Sequence, residues 1–154
     1  MGPVACMDIG TVTVRLAVAD VDVPSSKVTR MLKRSTICNL GEGLSASGRI
    51  GDAARGRVVG CVDAYLQIAR ASGAALCCCT LTSAARDAAN SDELIGDLEH
   101  RGLHPQVIAG EVEGSLTFLG VAQDFVDRRI LVADNGGGST ELAIGMLRRQ
   151  GGND

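Results

Sequence analysis

Asp8-Ile9-Gly10-Thr11 and Asp134-Asn135-Gly136-Gly137-Gly138-Ser139-Thr140 place the same residue types in the same order, and the chemistry open to both is the holding of a phosphate. In each, an apolar run ends at an Asp, turns through small residues and returns as a second apolar run, Arg15-Leu16-Ala17-Val18 or Glu141-Leu142-Ala143-Ile144. That is the pattern of a glycine-tipped β-hairpin. Glycines let backbone N–H groups approach an anion, and an Asp at the strand end supplies a hard oxygen ligand for a metal ion that neutralises it. Asp8 and Asp134 are therefore candidate Mg2+ ligands. Gly136, Gly137, Gly138 and Ser139 are candidate phosphate contacts, with Thr11 in the first hairpin. Two such hairpins imply two lobes facing each other.

The intervening chain must position these turns. Val4 to Asp8 and Val14 to Val18 read as the first hairpin, and the alternation from Lys27 to Cys38 predicts a third strand beside it. Asn39 to Gly48 is turn-rich. Val58, Val59, Val62, Leu66 and Ala69 give helical spacing from Asp52 to Arg70, with Gly73 where the helix stops. Ala74 to Thr80 reads as a short strand buried on both faces. A small-residue helix from Ser83 to Ala89 follows, then a helix from Asp92 to His100 that Asn90 and Ser91 are placed to cap. Gln106 to Ala109 predicts another strand, and Glu111 to Phe125 a helix with an apolar face through Leu116, Phe118 and Leu119. Strands alternating with helices predict an α/β fold with a mixed sheet and crossover helices. Arg129 opens the second hairpin, which ends near Met146. Only two strands of that second sheet are present, and an isolated hairpin is marginal in water, so the chain reads as cut short. Leu147 to Asp154 reads as a polar tail.

Composition narrows the partners. The 154 residues suit a domain of ordinary size, and 45% hydrophobic content is enough for a sizeable core. Aromatic residues are 2% of the chain, which leaves few platforms for stacking bases, and the net charge of -3 gives no general basic face, so a nucleic-acid partner is not expected. Cys77-Cys78-Cys79 lie within one apolar run and read as small core residues. Neither His100 nor His104 has a cysteine at zinc-finger spacing. No signal peptide or membrane span is read from the sequence, and a reducing cytoplasm is the expected compartment.

Several blocks together resemble the exopolyphosphatase and guanosine pentaphosphate phosphatase family, N-terminal portion. They are Asp8-Ile9-Gly10-Thr11 with Arg15-Leu16, Leu40-Gly41-Glu42-Gly43-Leu44, Thr82 to Asn90, Ile108 to Gly114, Thr117-Phe118-Leu119-Gly120, and Asp134 to Leu142. The first hairpin alone also occurs in sugar kinases, Hsp70 and actin. The resemblance implies a ribonuclease-H-like lobe of the actin-like ATPase superfamily, residues 1–127, plus the opening hairpin of an incomplete second lobe, residues 128–154. It implies hydrolysis of terminal phosphoanhydrides of inorganic polyphosphate or of guanosine pentaphosphate (pppGpp), with Mg2+ as cofactor, in a protein that is a possible homodimer at full length. The fragment alone is expected to be inactive.

On residues, the resemblance implies Glu113 as general base, Arg86 as a phosphate-binding arginine following Ser83 at a helix start, and Glu141 as a second acidic residue orienting water or metal. Plainer readings stand beside these: Glu113 and Glu111 as carboxylates favoured by a helix N-terminus, Arg86 with Asp87 on an exposed helix face, Glu141 as a solvent-facing strand residue. Arg15 is expected to pair with an acidic residue across the sheet. The sequence departs from the family pattern at Val12, where an amide side chain is expected, and at Asn135, where an apolar residue is usual. Two other functions stay open: a fragment of a small-molecule kinase on the same fold, and a non-catalytic phosphate- or nucleotide-sensing module.

Overall fold

A computed structural model describes residues 2–22, 24 and 27–148. Strands β1 (Val4–Ile9), β2 (Thr13–Asp22) and β3 (Lys27–Ile37) form an antiparallel meander; a short helix α1 (Leu44–Ser47) and the long α2 (Asp52–Ala71) follow. The chain continues as β4 (Leu76–Leu81), α3 (Ser83–Asp87), α4 (Ser91–Glu99), β5 (Pro105–Val107), α5 (Gly110–Ala122), a 3-10 turn at Gln123–Phe125, β6 (Arg129–Asn135) and β7 (Thr140–Met146). The first five strands make one sheet in the order β3-β2-β1-β4-β5, antiparallel through β1 and parallel from β1 to β5. β6 and β7 pair as a separate two-stranded sheet.

The large sheet has one dry face. Ala5, Met7 and Ile9 of β1, Val14, Leu16 and Val18 of β2, and Cys79 and Leu81 of β4 are buried against Val58, Val62, Leu66 and Ala69 of α2 and Leu94 and Leu98 of α4. The helical spacing of α2 supplies those contacts, and Gly73 closes the helix at φ 79°. With so few aromatics, the core rests on aliphatic side chains, each contributing about 1.5–3 kcal/mol when fully buried.

Three expectations fail here. β4 is not buried on both faces: Leu76 is 68% exposed and Cys78 is exposed, while Cys77 is half-buried and only Cys79 of the three cysteines is in the core. The crossover helices α2 and α4 cover one side of the sheet, so alternate residues of β4 face outward. Asn90 stands at the N-cap of α4 but makes no side-chain cap bond. Its amide instead accepts from the Ile50 N–H at 2.8 Å and donates to the Ile50 carbonyl at 3.0 Å, tying buried Ile50, in the loop before α2, to the start of α4. Finally, α5 does not bury Leu116 and Leu119, which are exposed. It buries its small side instead, because the hairpin packs there: Gly114 lies against the Glu141 side chain, and a Cβ on Gly145 would come within 2.9 Å of the Phe118 ring.

Asn90→Ala leaves a buried donor and a buried acceptor without partners, each costing about 1–3 kcal/mol. The expected result in urea unfolding is a loss of at least about 2 kcal/mol. A loss below about 0.5 kcal/mol would show that water replaces the amide.

The hairpin β6-β7 buries only one face. Val132 is buried, whereas Leu131, Leu142 and Ile144 on the other face are each at least 65% exposed. Of the expected polar tail, Arg149 onward lies outside the described residues.

Candidate active site

The two Asp-led turns close in the same way. The Gly10 N–H donates to the Thr13 carbonyl at 3.0 Å, and the Gly136 N–H donates to the Ser139 carbonyl at 2.9 Å. In each, the Asp sits two residues before that glycine, on paired strands, with Asp8 opposite Arg15 and Asp134 opposite Glu141. The repeat seen in the sequence is therefore a repeat of backbone geometry.

The tips meet. A Cβ on Gly137 would fall 2.3 Å from Cγ2 of Val12, and one on Gly138 would fall 2.5 Å from Oγ1 of Thr11 and 2.6 Å from Oγ of Ser83. Only glycine permits this approach. Beneath the touching tips lies a cavity of about 360 Å3. Its floor is the uncovered face of the large sheet at Asp8, Arg15 and Thr80; its walls are the Gly10–Thr13 turn, Thr82 and Ser83 at the start of α3, Glu113 and Thr117 of α5, and the run from Asp134 to Ser139.

The structure thus brings Asp8, Asp134, Glu113, Thr11, Ser83, Gly136, Gly137, Gly138 and Ser139 to one cavity. Arg86 and Glu141 line an adjoining one instead, beside Gly110 and Gly114. The Arg86 guanidinium donates from Nη1 to Glu113 Oε2 at 2.8 Å and to the Ile108 carbonyl at 2.9 Å, and its Nη2 stands 3.8 Å from Glu141 Oε1. In this arrangement Arg86 clamps one carboxylate from α5 and one from β7.

Two hydroxyls that sequence reasoning passed over orient the paired aspartates. Thr80 Oγ1 shares its proton between the Met7 carbonyl at 3.3 Å and Asp8 Oδ1 at 3.4 Å, and Thr117 Oγ1 donates to Asp134 Oδ2 at 2.8 Å. The available signal was Thr80 as the lone hydroxyl in the apolar run of β4 and Thr117 one helical turn after Glu113 in α5. Arg15 does pair across the sheet, Nη1 to Asp8 Oδ2 at 3.4 Å. Asn135 avoids the cost of burial: it is exposed and accepts from Thr140 Oγ1 at 2.7 Å.

Burial pushes the Asp8 carboxyl above its usual range; the Arg15 charge and the hydrogen bonds from Arg15 and Thr80 oppose this, and the Asp134 charge adds to it. Among the described residues no group of three or more His, Cys, Asp or Glu converges. Two facing carboxylates without a third protein ligand suit Mg2+, which keeps several waters and completes its shell with substrate phosphate oxygens, and do not suit a closed zinc site.

A raised folded pKa means that Asp8 favours the folded state below the ordinary carboxylate range and that this contribution is lost as pH rises through the raised value. Asp8→Asn is therefore expected to raise the melting temperature of the metal-free protein at pH 7, the gain shrinking as the pH falls towards about 4. Added Mg2+ is expected to raise the melting temperature of the parent protein and not that of the variant. A lower melting temperature for metal-free Asp8→Asn at pH 7 would contradict the burial argument.

Residues 17–150 match the family model of the Ppx/GppA phosphatase family. The chain belongs to that family. Exopolyphosphatase 1 of Mycobacterium tuberculosis is 34% identical over 143 residues, covering 91% of this chain and 41% of that protein. The bifunctional 3-dehydroquinate synthase/phosphatase of Fusobacterium nucleatum is 32% identical, covering 94% of this chain and 23% of that one. Among solved structures, the Aquifex aeolicus Ppx/GppA family member superposes with a TM-score of 0.81 at 29% identity, covering 94% of this chain and 47% of its own. An exopolyphosphatase from Cytophaga hutchinsonii gives 0.84 at 28% identity, with 94% and 46% covered. The fold is that family's actin-like ATPase fold, and the chain spans about half the length of these structures or less.

Proposed function

We propose that this chain supplies the N-terminal half of a Mg2+-dependent phosphatase that removes terminal phosphates from inorganic polyphosphate or pppGpp. The observation that supports this most is the contact of the two glycine tips over a cavity lined by Asp8, Asp134 and Glu113. The residues from 128 onward are read as the opening hairpin of a second lobe. Its exposed apolar face, with Leu131, Leu142 and Ile144 outward, suits a surface that further chain covers.

In this reading a terminal phosphoryl group sits under the tips, against the amides of Gly136, Gly137 and Gly138 and the hydroxyls of Thr11, Ser83 and Ser139. Glu113 accepts a proton from water as that water attacks phosphorus in line and the bridging P–O bond breaks, releasing orthophosphate. Arg86, bonded to Glu113 Oε2, holds the carboxylate in place and leaves Oε1 to accept from the water. Glu141 holds Arg86 from the other side. Asp8 and Asp134 would hold Mg2+, which supplies charge neutralisation to the phosphate oxygens. Thr80 and Thr117 keep those carboxylates oriented. The six cysteines are free in the structure, which suits a reducing cytoplasm, and no helix among the described residues is long and apolar enough to cross a membrane.

The test is orthophosphate release from polyphosphate and from pppGpp with Mg2+, by this chain and by a form carrying the remainder of the family's length. Release by the longer form and none by this chain is expected, because half a cleft leaves the reacting group in bulk water. No release from either substrate by the longer form would overturn the assignment.

A further inference from the structure

Cys6 and Cys78 lie side by side on the uncovered face of the large sheet. They are register partners on the parallel strands β1 and β4, and both are exposed. Their neighbours Met7 and Cys79 point into the core, so strand alternation sends both thiols outward. One step along the same two strands, the partners Asp8 and Thr80 are in side-chain contact on that face, which shows that register partners here reach each other. Ala17, the partner of Cys6 on β2, leaves that flank low.

The strand spacing selects what such a pair can hold. A disulfide needs its Cβ atoms about 3.5–4.5 Å apart, whereas neighbouring strands hold their chains about 4.8 Å apart, so direct oxidation is strained. Two metal–sulfur bonds of about 2.3 Å laid end to end span about 4.6 Å, which matches the strand spacing. No third His, Cys, Asp or Glu converges among the described residues, which removes tetrahedral zinc. We propose that Cys6 and Cys78 form a two-coordinate site for a soft monovalent cation, cuprous ion. Binding forms two Cu–S bonds and releases both thiol protons to solvent, with no change in oxidation state. Because Cys6 also lines the cavity under the hairpin tips, the ion would sit at the rim of the phosphate cleft. The site itself does not depend on the phosphatase reading.

The other close thiol pair provides the comparison. Cys38 is buried and interacts with Cys61, and its thiol is pushed up to about 11 by burial first and by Cys61 second; the Cys6 thiol is raised too, by burial first and by Cys78 second, so what separates the two pairs is access, open to solvent at Cys6 and Cys78 and closed at Cys38. The reduced, metal-free protein is titrated with Cu(I) under anaerobic conditions against a chromophoric chelator. One tightly held equivalent is expected. Cys6→Ser and Cys78→Ser should each weaken it by more than about 100-fold, the upper end of what losing even an outer-shell partner costs, and Cys38→Ser should leave it unchanged. X-ray absorption should show two sulfur neighbours. Dibromobimane, which bridges two nearby thiols, should link Cys6 to Cys78 in the unsubstituted protein and be blocked by Cu(I), a readout independent of any variant's folding. Unchanged affinity in either exposed-cysteine variant, loss in Cys38→Ser, a third metal ligand, or no bridged peptide would overturn the proposal.

Discussion

Glu113→Gln, in a form of the protein carrying the remainder of the family's length, is expected to lower the rate of phosphate release by about 10²–10⁴-fold, the range associated with losing a positioned general base. Gln matches Glu in shape and keeps an oxygen that can accept from Arg86 Nη1, while Arg86 retains its bond to the Ile108 carbonyl. The fold should therefore survive, as an unchanged far-UV spectrum and a cooperative melt would show. What the substitution removes is the ability to take a proton from water. The fall should appear in kcat with KM little changed, because the carboxylate is assigned to the transition state and the amides and hydroxyls to ground-state binding. A kcat within a few-fold of the parent would leave Glu113 as a helix-start carboxylate that only anchors Arg86.

Gly137→Ala should separate the two hairpins. The added methyl would sit 2.3 Å from Val12 Cγ2 and 3.2 Å from Val12 Cβ, and because the second atom is fixed to the backbone, rotating the Val12 side chain does not clear both. Either the Gly137 tip shifts or the Val12 turn strains, at about 1–3 kcal/mol for overpacking of this kind. Calorimetry should show weaker binding of short polyphosphate with Mg2+ as the amides leave the cleft. Val12→Ala in the same chain removes both branch methyls and is expected to restore most of the loss, which a double-mutant cycle reads as a coupling of more than about 0.5 kcal/mol. Additive effects would mean that the tips do not press on each other in solution. Val12 thereby acquires a function that its departure from the family amide conceals: it packs the joint between the two turns.

The elements could be read from short-range pattern. Glycine-tipped turns, the Val58-Val62-Leu66 spacing of α2 and the Gly73 stop are set by interactions within a few residues, and those segments fold as their sequence indicates. The family blocks also located the residues that line the cleft, since backbone turn chemistry and an Asp at a strand end are local requirements.

Features that required the fold all depend on partners distant in the chain. The outward face of Cys78 follows from both crossover helices lying on one side of the sheet, a handedness that periodicity within β4 cannot reveal. Asn90 looks like a helix cap until the loop at Ile50, forty residues earlier, offers its buried backbone a better use for the amide. Arg86 reads as an anion ligand in its own segment, yet closure of the hairpin onto α5 puts it between Glu113 and Glu141. Thr80 and Thr117 became recognisable as supports for Asp8 and Asp134 only after strands and helix were brought together. Hydrogen-bond and charge partners are chosen by proximity in space, and over tens of residues the chain's local preferences carry no record of that proximity.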